Sequence, residues 1–224
     1  MTARASRSRG MPRRSATQPV RASRTPLLIG VALVAILVAA AVLAIALGGT
    51  ASAPGVAEPA RAATVIDGTV LPTFADPAAD AAIGQPIPTL RGTDLEGNAI
   101  SIGPGDGPMA VVLVAHWCSV CQAEVPDLVD YLASTGMPDG VRLVGISTSI
   151  APARPNYPPS SWLEREGWTA PTMVDDASSS ALAGLGMTAF PGFVFVNADG
   201  EVAQRYTGAM PVADFDAVVR SIAP

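Results

Sequence analysis

Cys118-Ser119-Val120-Cys121 sits at a junction that leaves the chain few ways to fold. Upstream, Met109-Ala110-Val111-Val112-Leu113-Val114-Ala115 is a continuous apolar run, which predicts a strand buried on both faces. Downstream, Val125, Leu128, Val129 and Leu132 recur at spacings of three and four, so one face of a helix is apolar. His116, Trp117 and the first cysteine fill the turn between them. Two cysteines three apart at a helix start lie within one turn. Their Cα atoms are then roughly 5 Å apart, a span that a disulfide crosses without strain. A thiol in this place faces the positive end of the helix dipole and several unpaired N–H groups, which favour the thiolate, the reactive species. Strand, short turn, Cys-x-x-Cys and amphipathic helix together predict a dithiol built to open and close.

These are the chain's only cysteines. A four-cysteine zinc site needs a second pair, and the single histidine, His116, cannot complete a tetrahedral set with two cysteines unless carboxylates help. A purely structural disulfide is the other alternative, but so short a loop adds little stability. Dithiol redox chemistry is the favoured reading.

All fourteen basic residues are arginine, and seven of them precede residue 25, whereas no acid precedes Glu58. Leu27 to Leu47 is an uncharged apolar stretch, long enough to cross a bilayer as a helix. A basic flank before such a span places the N-terminus in the cytoplasm and the rest outside the cell membrane. Residues 1–26 are therefore expected to form a basic cytoplasmic tail and 27–47 a single-pass anchor. Ala51-Ser52-Ala53 resembles a signal-peptidase site, yet the apolar run is longer than a signal core and Pro54 would follow the cut. An uncleaved anchor is the expectation. Arg13-Arg14 reads as part of a generic basic flank, and no cysteine lies near the span to carry a lipid. The exported part holds seven arginines against nineteen acids, a formal charge of −12, which argues against nucleic-acid binding.

Residues 48–80, rich in Ala, Pro, Gly and Thr, are expected to be a flexible linker, with a weak strand signal at Ala63 to Ile66. Residues 81–224 suffice for one core. Strand and helix patterns alternate there, predicting an α/β domain around a mixed sheet. Expected strands include Val141–Ser147, Pro171–Val174 and Phe193–Val196 with a hairpin return from Glu201. Ser160 is expected to cap a short helix, and Phe215, Val218, Val219 and Ile222 mark a closing one.

Three stretches carry a family resemblance. They are Gly84 to Pro88, His116 to Pro126, and Phe190-Pro191-Gly192 running into the strand and turn that end at Gly200. From about Ile83 to Ile222 the chain resembles the membrane-anchored thioredoxin-like family that includes TlpA and ResA, the extracytoplasmic thiol-disulfide oxidoreductases. The resemblance implies a thioredoxin-like three-layer fold preceded by one N-terminal transmembrane helix. It implies that Cys118 is the nucleophile and Cys121 the resolving thiol of a redox-active Cys118–Cys121 disulfide, with no further cofactor or metal. Pro191 matches the family's cis-proline beside the dithiol, and Phe190 precedes it. Trp117 would lie over the disulfide, and Pro126 would kink the helix. Glu124, one turn beyond Cys121, matches a glutamate suggested to move protons for the dithiol. Implied partners are exported cysteine-containing proteins, apocytochrome c among them, and a membrane electron donor.

The departures from the family pattern matter. Val112 stands where thioredoxins carry a buried aspartate, so Glu124 is the acid left nearby. Ser119-Val120 has neither the proline common in reductases nor the histidine common in strong oxidants, so the direction of electron flow is open. The leading expectation is a reductase, with an oxidant or isomerase as its alternative. Peroxide reduction fits less well, since Ala115 replaces the preceding hydroxyl residue. A copper-binding or scaffold role lacks the distant histidine that copper carriers on this fold add. His116 could act electrostatically on Cys118 or simply turn into solvent.

Overall fold

The computed structural model describes residues 62–224. The basic tail, the apolar span 27–47 and the first part of the predicted linker lie outside the described residues. Among the described residues no helix is long and apolar enough to cross a membrane.

The strands are β1 (Val65–Asp67), β2 (Thr89–Asp94), β3 (Ala99–Ile102), β4 (Met109–Val114), β5 (Arg142–Ser147), β6 (Thr172–Val174), β7 (Gly192–Val196) and β8 (Val202–Thr207). The helices are α1 (Ser119–Ser134), α2 (Pro159–Arg165), α3 (Ser180–Gly184) and α4 (Val212–Ser221). One mixed sheet runs β1-β2-β6-β5-β4-β7-β8, with β3 on the other edge of β2. Strand β4 is central: it pairs in parallel with β5 and antiparallel with β7.

Alternation along β4 separates two cores. Met109, Val111 and Leu113 face a layer that includes Leu71, Phe74 and α3, through Ala181 and Leu182. Ala110, Val112 and Val114 face the layer of α1, α2 and α4, through Cys121, Leu128, Trp162 and Phe215. A continuous apolar run is what a strand covered on both faces requires. Each large side chain buried here contributes about 1.5–3 kcal/mol. Tyr131 of α1 donates its hydroxyl proton to Asp216 of α4 at 2.8 Å, joining two helices of that layer.

Two expectations are corrected. The linker does not run free to residue 80. Residues Val65–Asp67 pair with β2, and Leu71 and Phe74 are buried. Arg205, fully buried on β8, binds Asp80 through both nitrogens of its fork and also donates to the carbonyls of Pro72 and Leu185, each at 2.9 Å. Such a cation needs all these acceptors to stay buried. Gly186 makes the close approach possible: it has φ +66, and a Cβ there would collide with the Pro72 carbonyl and the Arg205 guanidinium. The linker's composition masked this segment because its apolar residues are too sparse to show a period.

The cap of α2 also differs. The helix begins at Pro159, with Pro158 as its N-cap and no side-chain capping bond, so Ser160 already lies inside the first turn. Proline suits that first position because its missing N–H would be unpaired there anyway.

Candidate active site

Strand β4 ends at Val114, and the chain turns through Ala115, His116 and Trp117 before α1 begins. Cys118 is the N-cap of α1, with extended backbone. Its sulfur accepts the Cys121 N–H at 3.5 Å and donates to the Phe190 carbonyl at 3.7 Å. Half-buried, it can be reached from solvent. Cys121 is fully buried one turn in, and its sulfur accepts the Ala115 N–H at 3.5 Å. Both thiols are free. Burial pushes the Cys121 thiol far up, and the neighbouring Cys118 and Glu124 add to the rise. The pair is therefore unequal, with one accessible sulfur and one that stays protonated until a partner draws it in.

Three further expected residues gather around Cys118. The Phe190–Pro191 bond is cis, and Pro191 is buried. Its carbonyl accepts the Gly208 N–H at 2.9 Å, which ties this turn to the end of β8. Trp117 packs edge-on against Phe190, with ring centroids 5.3 Å apart, and donates its indole N–H to the Ser149 carbonyl at 2.8 Å. The indole is thus held at both ends beside the dithiol.

Glu124 is buried at 3% exposure. Its partner is the Met210 N–H, at 3.2 and 3.1 Å from the two carboxylate oxygens. Burial raises its proton affinity, the Met210 amide opposes that, and Asp127 adds to it. Val112 lies in the same apolar layer as Cys121, so no carboxylate rises from β4 beneath the dithiol.

His116 is fully buried and turned inward. Nε2 accepts the Ala151 N–H at 3.1 Å, which leaves Nδ1 to donate its proton to the Pro155 carbonyl at 2.7 Å. That is the neutral ring. Asn156 reaches back to the His116 carbonyl at 3.3 Å, and Gln122 reaches it at 2.9 Å. The histidine is a clamp on the proline-rich loop 151–157, and its full burial overturns the solvent-facing alternative.

Sequence reasoning missed three participants. The Met210 amide and the Pro155 carbonyl are backbone groups, which residue identity does not announce. The third is the loop itself, which sets the Arg154 guanidinium over the Trp117 ring, 4.5 Å from its centroid, and Tyr157 5.9 Å from His116. Its prolines signalled a loop without showing where it folds back. Among the described residues no group of three or more His, Cys, Asp or Glu is placed to hold a metal.

Comparison with known proteins agrees with this geometry. A thiol:disulfide interchange protein of the thioredoxin family from Chlorobium tepidum TLS is 27% identical, with a TM-score of 0.51 over 64% of this chain and 99% of that one. A DsbF homologue from Corynebacterium diphtheriae superposes with a TM-score of 0.52 at 19% identity, over 69% of this chain and 99% of its own. The thioredoxin domain of a thiol-disulfide oxidoreductase from Bacteroides vulgatus gives 0.50 at 20% identity, over 63% of this chain and 99% of its own. None of the curated proteins matches. The Redoxin family model matches residues 82–219, more than half of the 224. This chain belongs to the Redoxin family, and its fold is that of the thioredoxin-like thiol-disulfide oxidoreductases.

Proposed function

We propose that the chain is a membrane-tethered, extracytoplasmic thiol-disulfide oxidoreductase of the TlpA/ResA kind that reduces disulfides of exported proteins. The observation that carries this reading is the inequality of the dithiol: Cys118 is open to solvent and Cys121 is wholly buried behind it.

In the reductive direction the Cys118 thiolate attacks one sulfur of a client disulfide. That bond breaks, a Cys118–client disulfide forms, and the released client thiolate takes a proton. Cys121 then gives up its proton and attacks the Cys118 sulfur. The second client thiolate leaves and is protonated in turn. The client gains two electrons and two protons, one from Cys121 and one from solvent, and the chain ends as the Cys118–Cys121 disulfide. Glu124 is the group that takes the Cys121 proton: it is one turn away and buried, and burial raises its proton affinity. Trp117, Phe190 and Pro191 frame the client backbone. A dithiol donor in the membrane returns the electrons, and apocytochrome c, with its paired cysteines, is a fitting client. No further cofactor takes part.

Tethering rests on the basic residues before Leu27 and the apolar span to Leu47. Full-length protein should stay with membranes after an alkaline wash, and a soluble form beginning at Pro54 would overturn the anchor. The reduction potential of the cysteine pair tests the direction. A value of about −270 mV or lower is expected of a reductase, and one of about −120 mV would make the chain an oxidant. Failure to exchange with any disulfide would remove the reading altogether.

A further inference from the structure

The loop at the mouth of the dithiol carries a cation that pairs with no carboxylate among the described residues. The described residues hold six arginines. Arg91, Arg142, Arg205 and Arg220 each pair with a carboxylate. Arg165 donates to the Ser161 carbonyl and the Asn156 side chain. Arg154 is exposed, and among the described residues its guanidinium meets only the Trp117 ring. In a chain with nineteen acids, this isolation beside the reactive sulfur calls for an account.

The stacking shows what the group can do. A guanidinium lying on an indole uses its face and leaves its N–H edge free, and that edge is a fork matched to a carboxylate. The platform is fixed, since Trp117 is held by Ser149 and packs on Phe190, whose carbonyl touches Cys118. The loop is fixed as well, by the His116 ring between Ala151 and Pro155. Arg154 is thus presented in one place at little further cost in side-chain entropy when it binds. Val120, between the cysteines, is an exposed apolar side chain at 41%.

We infer that Arg154 is a specificity residue that recognises an acidic side chain flanking the reactive cysteine of the client. This rests on the thiol-disulfide reading above and adds the chemistry of the partner: a segment with Asp or Glu beside its cysteine.

The test uses symmetrical disulfide dimers of short cysteine peptides, flanked by aspartates, asparagines or lysines. Second-order rate constants for their reduction are measured with the reduced protein. The Asp-to-Asn rate ratio should fall about fivefold from the wild type to Arg154→Gln, the size of a single solvent-exposed ion pair. In Arg154→Glu the order should invert, with lysine flanks fastest. Because each variant is its own reference, a general loss of reactivity cancels. An unchanged ratio in Arg154→Gln, or one that does not invert in Arg154→Glu, would overturn the inference and leave the redox reading standing. If the wild type reduces none of the three peptides, the redox reading itself fails.

Discussion

The Met210 amide donates to both carboxylate oxygens of Glu124, at 3.1 and 3.2 Å, and so ties the segment before α4 to the helix that carries the dithiol. One N–H does not repay the full cost of burying a carboxylate. That residue is left with a raised proton affinity.

Glu124→Gln should therefore have two opposite effects. It removes the proton carrier, so exchange slows several-fold near neutral pH and its pH dependence flattens, as stopped-flow kinetics would record. It also relieves a burial cost. A carboxyl whose pKa is raised on folding holds its proton more tightly in the folded state, so it lowers stability as pH climbs past the unfolded value. The variant should melt higher than the wild type at pH 7 and gain nothing below the ordinary carboxylate range. An unchanged rate profile would make Glu124 a purely structural acid.

The cysteines should separate cleanly. Cys121→Ala leaves Cys118 to form a mixed disulfide that nothing resolves, so client adducts accumulate on non-reducing gels. Cys118→Ala should trap few, since Cys121 has no exposed surface. Equal trapping by both would reverse the assignment.

Asp80 is held below the usual carboxylate range, first by its hydrogen bond from Arg205. A lowered folded pKa contributes stability above the unfolded value and loses it as pH falls through the folded one. Asp80→Ala strands a buried guanidinium and should cost about 3–5 kcal/mol at neutral pH by chemical denaturation. Its deficit against the wild type should narrow as both are acidified.

His116→Ala removes the acceptor of the Ala151 N–H and the donor to the Pro155 carbonyl. Loss of the clamp should cost about 1–3 kcal/mol and speed amide exchange across residues 151–157. Protection of β4 should hold, since its ladders to β5 and β7 are untouched. Uniform loss of protection would mean that His116 supports the core rather than the loop.

What the sequence made legible was whatever has a period or a motif. Val111 and Val112 alternate between two layers as a doubly covered strand must. Cys118 caps the helix that its neighbours predicted, and the Phe190–Pro191 bond is cis, with the Phe190 carbonyl on the Cys118 sulfur. The illegible parts depend on backbone groups far away in the chain. Glu124 lies one turn beyond Cys121 on α1, as the spacing predicts, but the bond it makes crosses to Met210. His116 looked chemically loaded because imidazole often is, and its partners are a carbonyl and an amide of a loop without regular structure. Arg205 was one arginine among many until Asp80 and two carbonyls surrounded it.

The wrap of residues 64–80 decides where the domain can be cut. A chain begun at Ala82 would keep every residue of the family match. It would also lack β1, Leu71 and Phe74, and leave Arg205 buried with neither Asp80 nor the Pro72 carbonyl. The boundary of kinship and the boundary of a body that can stand alone thus differ by one strand and one acid. A truncation drawn from likeness alone would discard the counter-ion of the domain's own interior.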